Sequence, residues 1–244
     1  MNNIITSQPT LLEDKLVNVD KLYYFLKRGV DLLLVIPSII LLGPMFLILW
    51  LWIRLDSEGP VIFVQERVGA KRVFVNGRWI WQAVTFPMFK FRTMKIDSTS
   101  KLHQEYIAAY IAGDEARMAE ISGKKDDSYK LTNDPRVTSV GRILRKLSLD
   151  ELPQLWNVIR GEMSLVGPRP PIPYEVELYK PHHMARLAAM PGITGWWQVS
   201  GRAATKFEDM VELDVEYIQK QSIWLDLKIM FLTIPAAIAQ KGAG

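Results

Sequence analysis

Residues 32–53 read LLLVIPSIILLGPMFLILWLWI, a run in which no charged side chain occurs. It meets the ~20 residues a helix needs to cross a bilayer. Lys27 and Arg28 precede it and Arg54 follows it. Tyr23, Tyr24, Trp50 and Trp52 stand near its ends, where amphipathic rings favour the membrane–water interface. The run exceeds the ~7–15 apolar residues of a signal peptide, and no small-residue cleavage site follows it. Two readings fit. One is an ordinary spanning helix. The other is a re-entrant helix-break-helix over 27–54 that bends and returns to the same face. Pro37 and Gly43-Pro44 favour the second because they remove helix hydrogen bonds, the latter pair at the midpoint. Basic residues at both ends also leave the positive-inside rule without a direction. Kinked spanning helices are common, so both readings stay open on the residues alone. Asp31, ionisable at the edge of the run, calls for a cationic partner.

Composition narrows the rest. The chain has 244 residues, room for one medium domain plus an accessory segment. Lys+Arg 30 against Asp+Glu 26 gives +4, which suits a weakly anionic partner and falls short of a nucleic-acid tail. With 49% hydrophobic residues, disorder of the whole chain is excluded. The absence of cysteine excludes a disulfide scaffold, an iron–sulfur site and a thiol nucleophile, and fits a cytosol-facing protein.

Residues 1–26 read as a tail, polar and unpatterned over about the first twenty. After the apolar run, Gly59-Pro60 makes a turn and Val61–Val64 a short strand. Val73–Val75 and Trp79–Trp81 flank Asn76-Gly77, a two-residue hairpin signal. Phe89–Arg92 alternates as a half-buried strand does. Residues 98–130 form an inserted helical region, patterned from about Lys101 to Ile121, and Asn133-Asp134-Pro135 turns the chain. Val140, Ile143, Leu144 and Leu147 mark a helix whose other face carries Arg142, Arg145 and Lys146. A second helix starts near Ser148 and runs toward Arg160, where Gly161 ends it. Pro168–Pro173 is a stiff loop. A helix spans Thr205 to Gln221. Ser222–Ala239 is apolar-rich, with a charge-free part too short to span, and belongs in the interface or the core. The fold class is α+β: a mostly helical membrane-associated domain over 55–244 with a small β-hairpin region and interfacial amphipathic helices.

No P-loop, G-x-G-x-x-G or G-x-S-x-G occurs. His103, His182 and His183 lack metal-ligand spacing and read as surface residues. Ser148-Leu149-Asp150-Glu151 reads as a capping box, or as a helix starting at Asp150 because Pro153 follows. Either start places the Asp150 carboxylate where backbone N–H groups favour its ionised form. Arg145 lies five residues earlier, Arg169 sits in the proline-locked loop, and Arg202 closes the run WWQVSGR. Guanidinium forks suit phosphate oxygens. An acid beside phosphate suggests Mg²⁺, which takes one or two carboxylates plus phosphate oxygens. Together these residues point to phosphate chemistry at an interface. A non-catalytic, membrane-tethered adaptor that binds anionic lipid is the alternative.

The ordered blocks PVIFVQERVG (60–69), FKFRTM (89–94), LTNDPRVTSVGRILRKLSLDELPQLWNVIRGEMSLVGPRP (131–170), PGITGWWQVSGR (191–202), ELDVEYI (212–218) and LDLKIMFLT (225–233) cover most of the chain. They resemble the bacterial sugar transferases, the monotopic phosphoglycosyl transferases that act on polyprenyl phosphate. The resemblance implies transfer of a sugar-1-phosphate from a UDP-sugar to undecaprenyl phosphate with release of UMP. It implies Asp150 as nucleophile and Mg²⁺ site, and Glu151 as base for the second half-reaction. Arg145 and Arg169 match phosphate contacts, and Lys90 and Arg202 match the nucleotide end. Asp226 matches an acid that pairs with Lys27 or Arg28. Gly43-Pro44 matches the break of a re-entrant helix at the cytoplasmic face of the bacterial inner membrane. The implied partners are donor, acceptor, membrane lipids and downstream glycosyltransferases, with a homodimer left open and no nucleic acid. Residues 71–86 and 98–130 depart from the compact pattern. Longer members carry a multi-span region before the anchor, so the chain reads either as a short member or as an isolated catalytic part. The sugar is not legible.

Overall fold

Helix α1 runs from Lys21 to Asp56, 36 residues or about 54 Å at the helical rise. The computed structural model describes residues 21–75, 77–95, 101–123, 136–200 and 206–238. The residues before Lys21, the Asn133-Asp134-Pro135 turn and Arg202 lie outside the described residues. Lys21 to Leu26, expected in the tail, form the first turns of α1 because Tyr23 and Lys27 are held by buried partners. Pro37 and Pro44 both lie within α1, so the expected break at Gly43-Pro44 does not divide it into two helices. A proline removes a single N–H donor, and neighbouring turns can absorb that loss without ending the helix.

After α1 come β1 (Ile62–Val75) and β2 (Arg78–Phe91), paired antiparallel from Ile62↔Phe91 to Val75↔Arg78. The register leaves 76–77 as the two-residue loop that Asn-Gly predicts, with Gly77 at φ 82. The expected short strands are thus parts of one long hairpin, and residues 71–86 are its distal end. The insertion forms α2 (Lys101–Ala112) and α3 (Glu115–Ser122) rather than one helix. Gly113 at φ 72 ends the first, and Asp114 caps the second through the Arg117 N–H. Next come α4 (Ser139–Lys146), a 3₁₀ turn (Leu149–Glu151), α5 (Gln154–Arg160), β3 (Ser164–Val166) and α6 (Pro173–Val176). A second 3₁₀ segment (Pro181–Leu187), β4 (Gly192–Thr194), α7 (Trp196–Val199), α8 (Phe207–Lys220) and α9 (Ile223–Ile238) follow. Strands β3 and β4 pair in parallel. A Cβ on Gly192 would stand 2.1 Å from the Gly167 nitrogen, so this crossing needs glycine.

Packing sets α1 along the rest of the domain. Tyr23, Lys27, Asp31 and Val35 are buried at four-residue spacing, and Leu49 and Ile53 are buried again near the far end. Val35 packs with Phe86, Met88, Val158 and Met163, whereas Leu49 and Ile53 pack with Val61, Phe91, Val140 and Leu144. The opposite side of α1 exposes Leu33, Ile40, Leu41, Leu47 and Ile48. Helix α9 exposes Trp224, Leu227, Phe231 and Ile234, a stripe at helical spacing. The insertion docks away from α1, with Tyr106, Ile107 and Tyr110 against Phe207, Met210 and Val211 of α8.

Polar ties fix the head of α1. Lys27 Nζ donates to Asp226 Oδ2 at 2.7 Å, and both groups are buried. Tyr23 donates to the same oxygen at 3.0 Å, and Tyr217 of α8 donates to Asp226 Oδ1 at 2.7 Å. Of the two basic candidates, Lys27 is therefore the partner of Asp226. Arg28 instead donates to the carbonyls of Val158 and Ile159 at the end of α5, where orphan carbonyls favour a cation. Asp31 accepts from Ser164 Oγ and the Leu165 N–H, each at 3.0 Å. Its hydrogen-bond partners are a hydroxyl and a peptide group, and the expected cation is Lys27, one helical turn away, which acts on it electrostatically. At the other end, Arg92 donates to the carbonyls of Ser57 and Glu58.

Asp226→Ala leaves the Lys27 ammonium buried without its carboxylate and is expected to destabilise the fold by about 3–5 kcal/mol. The paired change Lys27→Leu with Asp226→Leu is expected to recover most of that loss, since no uncompensated charge stays buried. Denaturant unfolding of the detergent-solubilised variants measures both.

Candidate active site

The site is built where β2 meets the start of α5. Pro87 has no N–H, which leaves a gap in the edge of β2. Asn157, fully buried on α5, fills it: its Nδ2 donates to the Pro87 carbonyl at 2.7 Å, and its Oδ1 accepts from the Phe89 N–H at 3.0 Å. The same Nδ2 donates to Glu162 at 2.7 Å. One side-chain amide thereby acts as a strand neighbour and sets the spacing between α5 and β2. Strand alternation then places Met88 and Lys90 on the face toward the turn at 149–151.

That turn differs from the expected helix start. Ser148 has φ 55, the one positive φ outside glycine among the described residues, and makes no side-chain cap. Leu149–Glu151 is a 3₁₀ turn, and α5 begins only at Gln154 after Pro153. The capping box therefore does not form. Leu149 and Leu152 pack into the core shared by α1 and α4, and this pull leaves Asp150 and Glu151 half-buried at the rim. A serine held in the left-handed region costs of order 1–3 kcal/mol, a cost that concentrates at functional sites.

Three cations face the turn. Lys90 Nζ lies 3.2 Å from Glu151 Oε1. Arg169 reaches the same small cleft from the proline-locked loop, and Arg67 reaches it from β1. Gln154, Pro170 and Ile193 complete its walls. Burial pushes the Lys90 ammonium below its usual pKa, Glu151 and then Asp150 hold it up, and Arg169 and Arg67 push it down. Asp150 thus stands within electrostatic reach of Lys90. Arg67, itself buried, donates through Nη1 to the Pro170 carbonyl at 3.0 Å and through Nη2 to Gln65 Oε1 at 2.6 Å. The neighbouring Val68 N–H donates to the Pro171 carbonyl at 2.9 Å. These bonds hold the loop that presents Arg169.

Of the expected site residues, the structure gathers Glu151, Lys90 and Arg169 at the cleft, with Asp150 beside it on the same turn and within electrostatic reach of Lys90. Arg145 is not on the cleft wall: its Nε donates to Thr93 Oγ1 at 3.0 Å, just past the end of β2. Helix α4 is seated there by the Thr138 N–H on the Thr93 carbonyl, and a Cβ on Gly141 would stand 2.2 Å from that carbonyl oxygen. Lys27, Arg28, Asp31 and Asp226 serve the α1 junction. Arg67 and Asn157 escape a reading by residue type. The stretch Val64-Gln65-Glu66-Arg67-Val68 carries two charged side chains, so charge alone does not single out Arg67.

Of the histidines expected at the surface, His182 is exposed and His183 is not. His183 is fully buried, and its Nδ1 accepts the Lys180 N–H at 3.0 Å. That bond leaves the proton on Nε2, which donates to Glu208 at 3.1 Å. His182 joins at 3.0 Å, and the histidine hydrogen bonds hold the Glu208 carboxyl down to about 2. Although these three side chains cluster, the tautomer turns a proton rather than a lone pair toward the centre, so the group clamps α8 to the 3₁₀ segment at 181–187.

Residues 22–240 match the family described as bacterial sugar transferase. The chain belongs to that family. It is 41% identical over 219 residues to the undecaprenyl-phosphate galactose phosphotransferase of Salmonella typhimurium, covering 90% of this chain and 42% of the relative. It is 40% identical over 217 residues to the exopolysaccharide production protein ExoY of Sinorhizobium fredii, covering 89% of this chain and 87% of that one. It is 38% identical over 226 residues to the UDP-glucose:undecaprenyl-phosphate glucose-1-phosphate transferase of Escherichia coli, covering 89% and 41%. The chain thus spans less than half the length of two of these relatives and most of the third.

Asn157→Leu leaves the Pro87 carbonyl, the Phe89 N–H and Glu162 without their partner. The expected cost is about 1–3 kcal/mol, because these part-buried groups lose the bonds that Asn157 made. Thermal unfolding checks the loss, and a change below about 1 kcal/mol would show that α5 is positioned by apolar packing alone.

Proposed function

We propose that this chain transfers a sugar-1-phosphate from a UDP-sugar to undecaprenyl phosphate, with Asp150 as a covalent nucleophile. The observation that carries the reading is the convergence of Lys90, Arg67 and Arg169 on the Asp150–Glu151 turn. The printed names of the Salmonella and Escherichia relatives support the reaction and leave the sugar open between galactose and glucose. The ExoY relative supports a role in exopolysaccharide assembly.

In the first displacement a carboxylate oxygen of Asp150 attacks the sugar-proximal phosphorus. The bond from that phosphorus to the bridging oxygen breaks, and UMP leaves with the electron pair. In the second, a phosphate oxygen of the lipid attacks the same phosphorus and the Asp150 carboxylate is released. Splitting the transfer in this way gives each step a good leaving group. Lys90, Arg67 and Arg169 offset charge on the phosphoryl oxygens, with little reorganisation because their positions are fixed by burial and hydrogen bonds. Glu151 favours the protonated form of Lys90, and in this reading it takes the acceptor's proton. The donor set also suits Mg²⁺, which takes one or two carboxylates and completes its shell with phosphate oxygens and water. Asp150 would hold that ion beside the diphosphate, where it would neutralise phosphoryl charge.

The membrane reading is that α1 is re-entrant and the protein monotopic at the cytoplasmic face. Support comes from packing: residues at both ends of α1 are buried against the same domain. A helix that crossed a ~30 Å hydrocarbon layer would separate those ends onto opposite sides. Single cysteines near positions 10 and 60, in a chain with no native cysteine, are expected to be labelled from the same side of sealed vesicles. Labelling from opposite sides would reject re-entrance.

Incubation with the UDP-sugar alone is expected to release about one UMP per enzyme, and Asp150→Asn is expected to abolish this burst. A burst retained in Asp150→Asn would remove the aspartate from the chemistry. Glu151→Gln removes the neighbour that most favours protonated Lys90, so the Lys90 pKa falls further. The alkaline limb of the kcat/KM profile should therefore move to lower pH, and an unmoved limb would contradict the coupling.

A further inference from the structure

Three large apolar side chains stand exposed around the catalytic turn. Ile143 is 41% exposed, Leu147 54% and Trp156 54%. Leu147 lies three residues before Asp150, Ile143 one helical turn earlier on the same face of α4, and Trp156 five residues after Glu151 on the first turn of α5. Single exposed apolar residues are ordinary. A group of them bracketing a polar site marks a surface with an apolar partner.

The side of α4 that adjoins this strip is occupied. Val140 and Leu144 pack with Leu49 and Ile53 of α1, beside exposed Trp52 and Leu55. The free face of α4 therefore lies alongside the apolar helix and leads toward Asp150. Next to Ile143 and Leu147 on α4 runs a second exposed strip, Arg142 and Lys146. An apolar strip edged by cations matches an amphiphile with an anionic head and a hydrocarbon chain. A nucleotide sugar offers apolar faces only on its base and sugar ring, whereas two aliphatic side chains in a row suit a hydrocarbon chain.

We propose that Ile143, Leu147 and Trp156 seat the first isoprene units of the acceptor lipid, with Lys146 drawing its phosphate toward the phosphosugar on Asp150. This assignment rests on the transferase reading given above. The seated lipid presents its phosphate oxygen to the phosphorus, the new phosphorus–oxygen bond forms as the bond to Asp150 breaks, and the carboxylate is regenerated. The ledge acts in this half-reaction alone, since the donor half-reaction involves no lipid.

The test uses the full chain in micelles, with undecaprenyl phosphate as the varied substrate. Ile143→Ser with Leu147→Ser is expected to raise the acceptor KM by about ten-fold. The same protein should keep a donor-only UMP burst of about one per enzyme and the flotation of the wild type on phospholipid vesicles. Trp156→Ser, on the other helix, should raise the same KM, and Ile143→Leu with Leu147→Ile should hold it near the wild-type value. An unchanged KM in the serine variants overturns the proposal. So does loss of vesicle flotation in step with the KM rise, because the patch would then serve membrane attachment. Failure of the conservative variant to preserve KM also overturns it. If wild-type enzyme gives no donor-only burst, the parent reading fails instead. A normal burst with an unmoved KM removes the ledge alone.

Discussion

An ammonium buried at the head of an apolar helix has to be neutralised in place, and Asp226 does this for Lys27 at 2.7 Å. The bond joins the first helix to the last, and Tyr23 and Tyr217 bring α1 and α8 into the same buried network. Removing both charges would cost little; removing one would leave the other stranded in a low-dielectric interior. This asymmetry gives the junction its specificity. With the head of α1 fixed there and its far end fixed by Leu49 and Ile53, the apolar helix can only lie along the domain. Its outward residues are then left to an apolar solvent.

The active site inherits its position from that arrangement. The core that holds the end of α1 also takes Leu149 and Leu152, so the turn at 149–151 is pinned from beneath by the contacts that hold α1. Asn157 fixes the turn from the other side by completing the edge of β2 at Pro87. Between these restraints the backbone is held in a 3₁₀ turn behind a left-handed serine, and Glu151 shares a cleft with Lys90, Arg67 and Arg169. The geometry suits a substrate whose charge is concentrated in phosphates and whose acceptor arrives from lipid.

Much of this was legible in the residues. The charge-free run announced α1, Asn76-Gly77 placed the hairpin loop, and the family resemblance paired Asp226 with the basic residues ahead of the run. What the residues concealed had physical causes. Ser148–Glu151 satisfies the local pattern of a capping box, but burial of Leu149 and Leu152, with Pro153 between them and α5, overrides local preference. Gly113-Asp114 serves as both stop and start, which divides a segment that periodicity alone runs together. His183 meets Glu208 across 25 residues, and Arg67 meets Pro170 across 103. No local pattern carries such pairings. Glu151 and Arg169 stood out by chemical type and Lys90 by the family resemblance, whereas Arg67 and Asn157 matter because of where the chain places them.

The most direct test of the account is the intact mass of the protein after brief exposure to a UDP-sugar without lipid acceptor. The account predicts a mass increase of one sugar phosphate, carried by the peptide that contains Asp150 and discharged when undecaprenyl phosphate is added. UMP accumulating while the protein mass stays unchanged, or an adduct on a peptide that lacks Asp150, would contradict it.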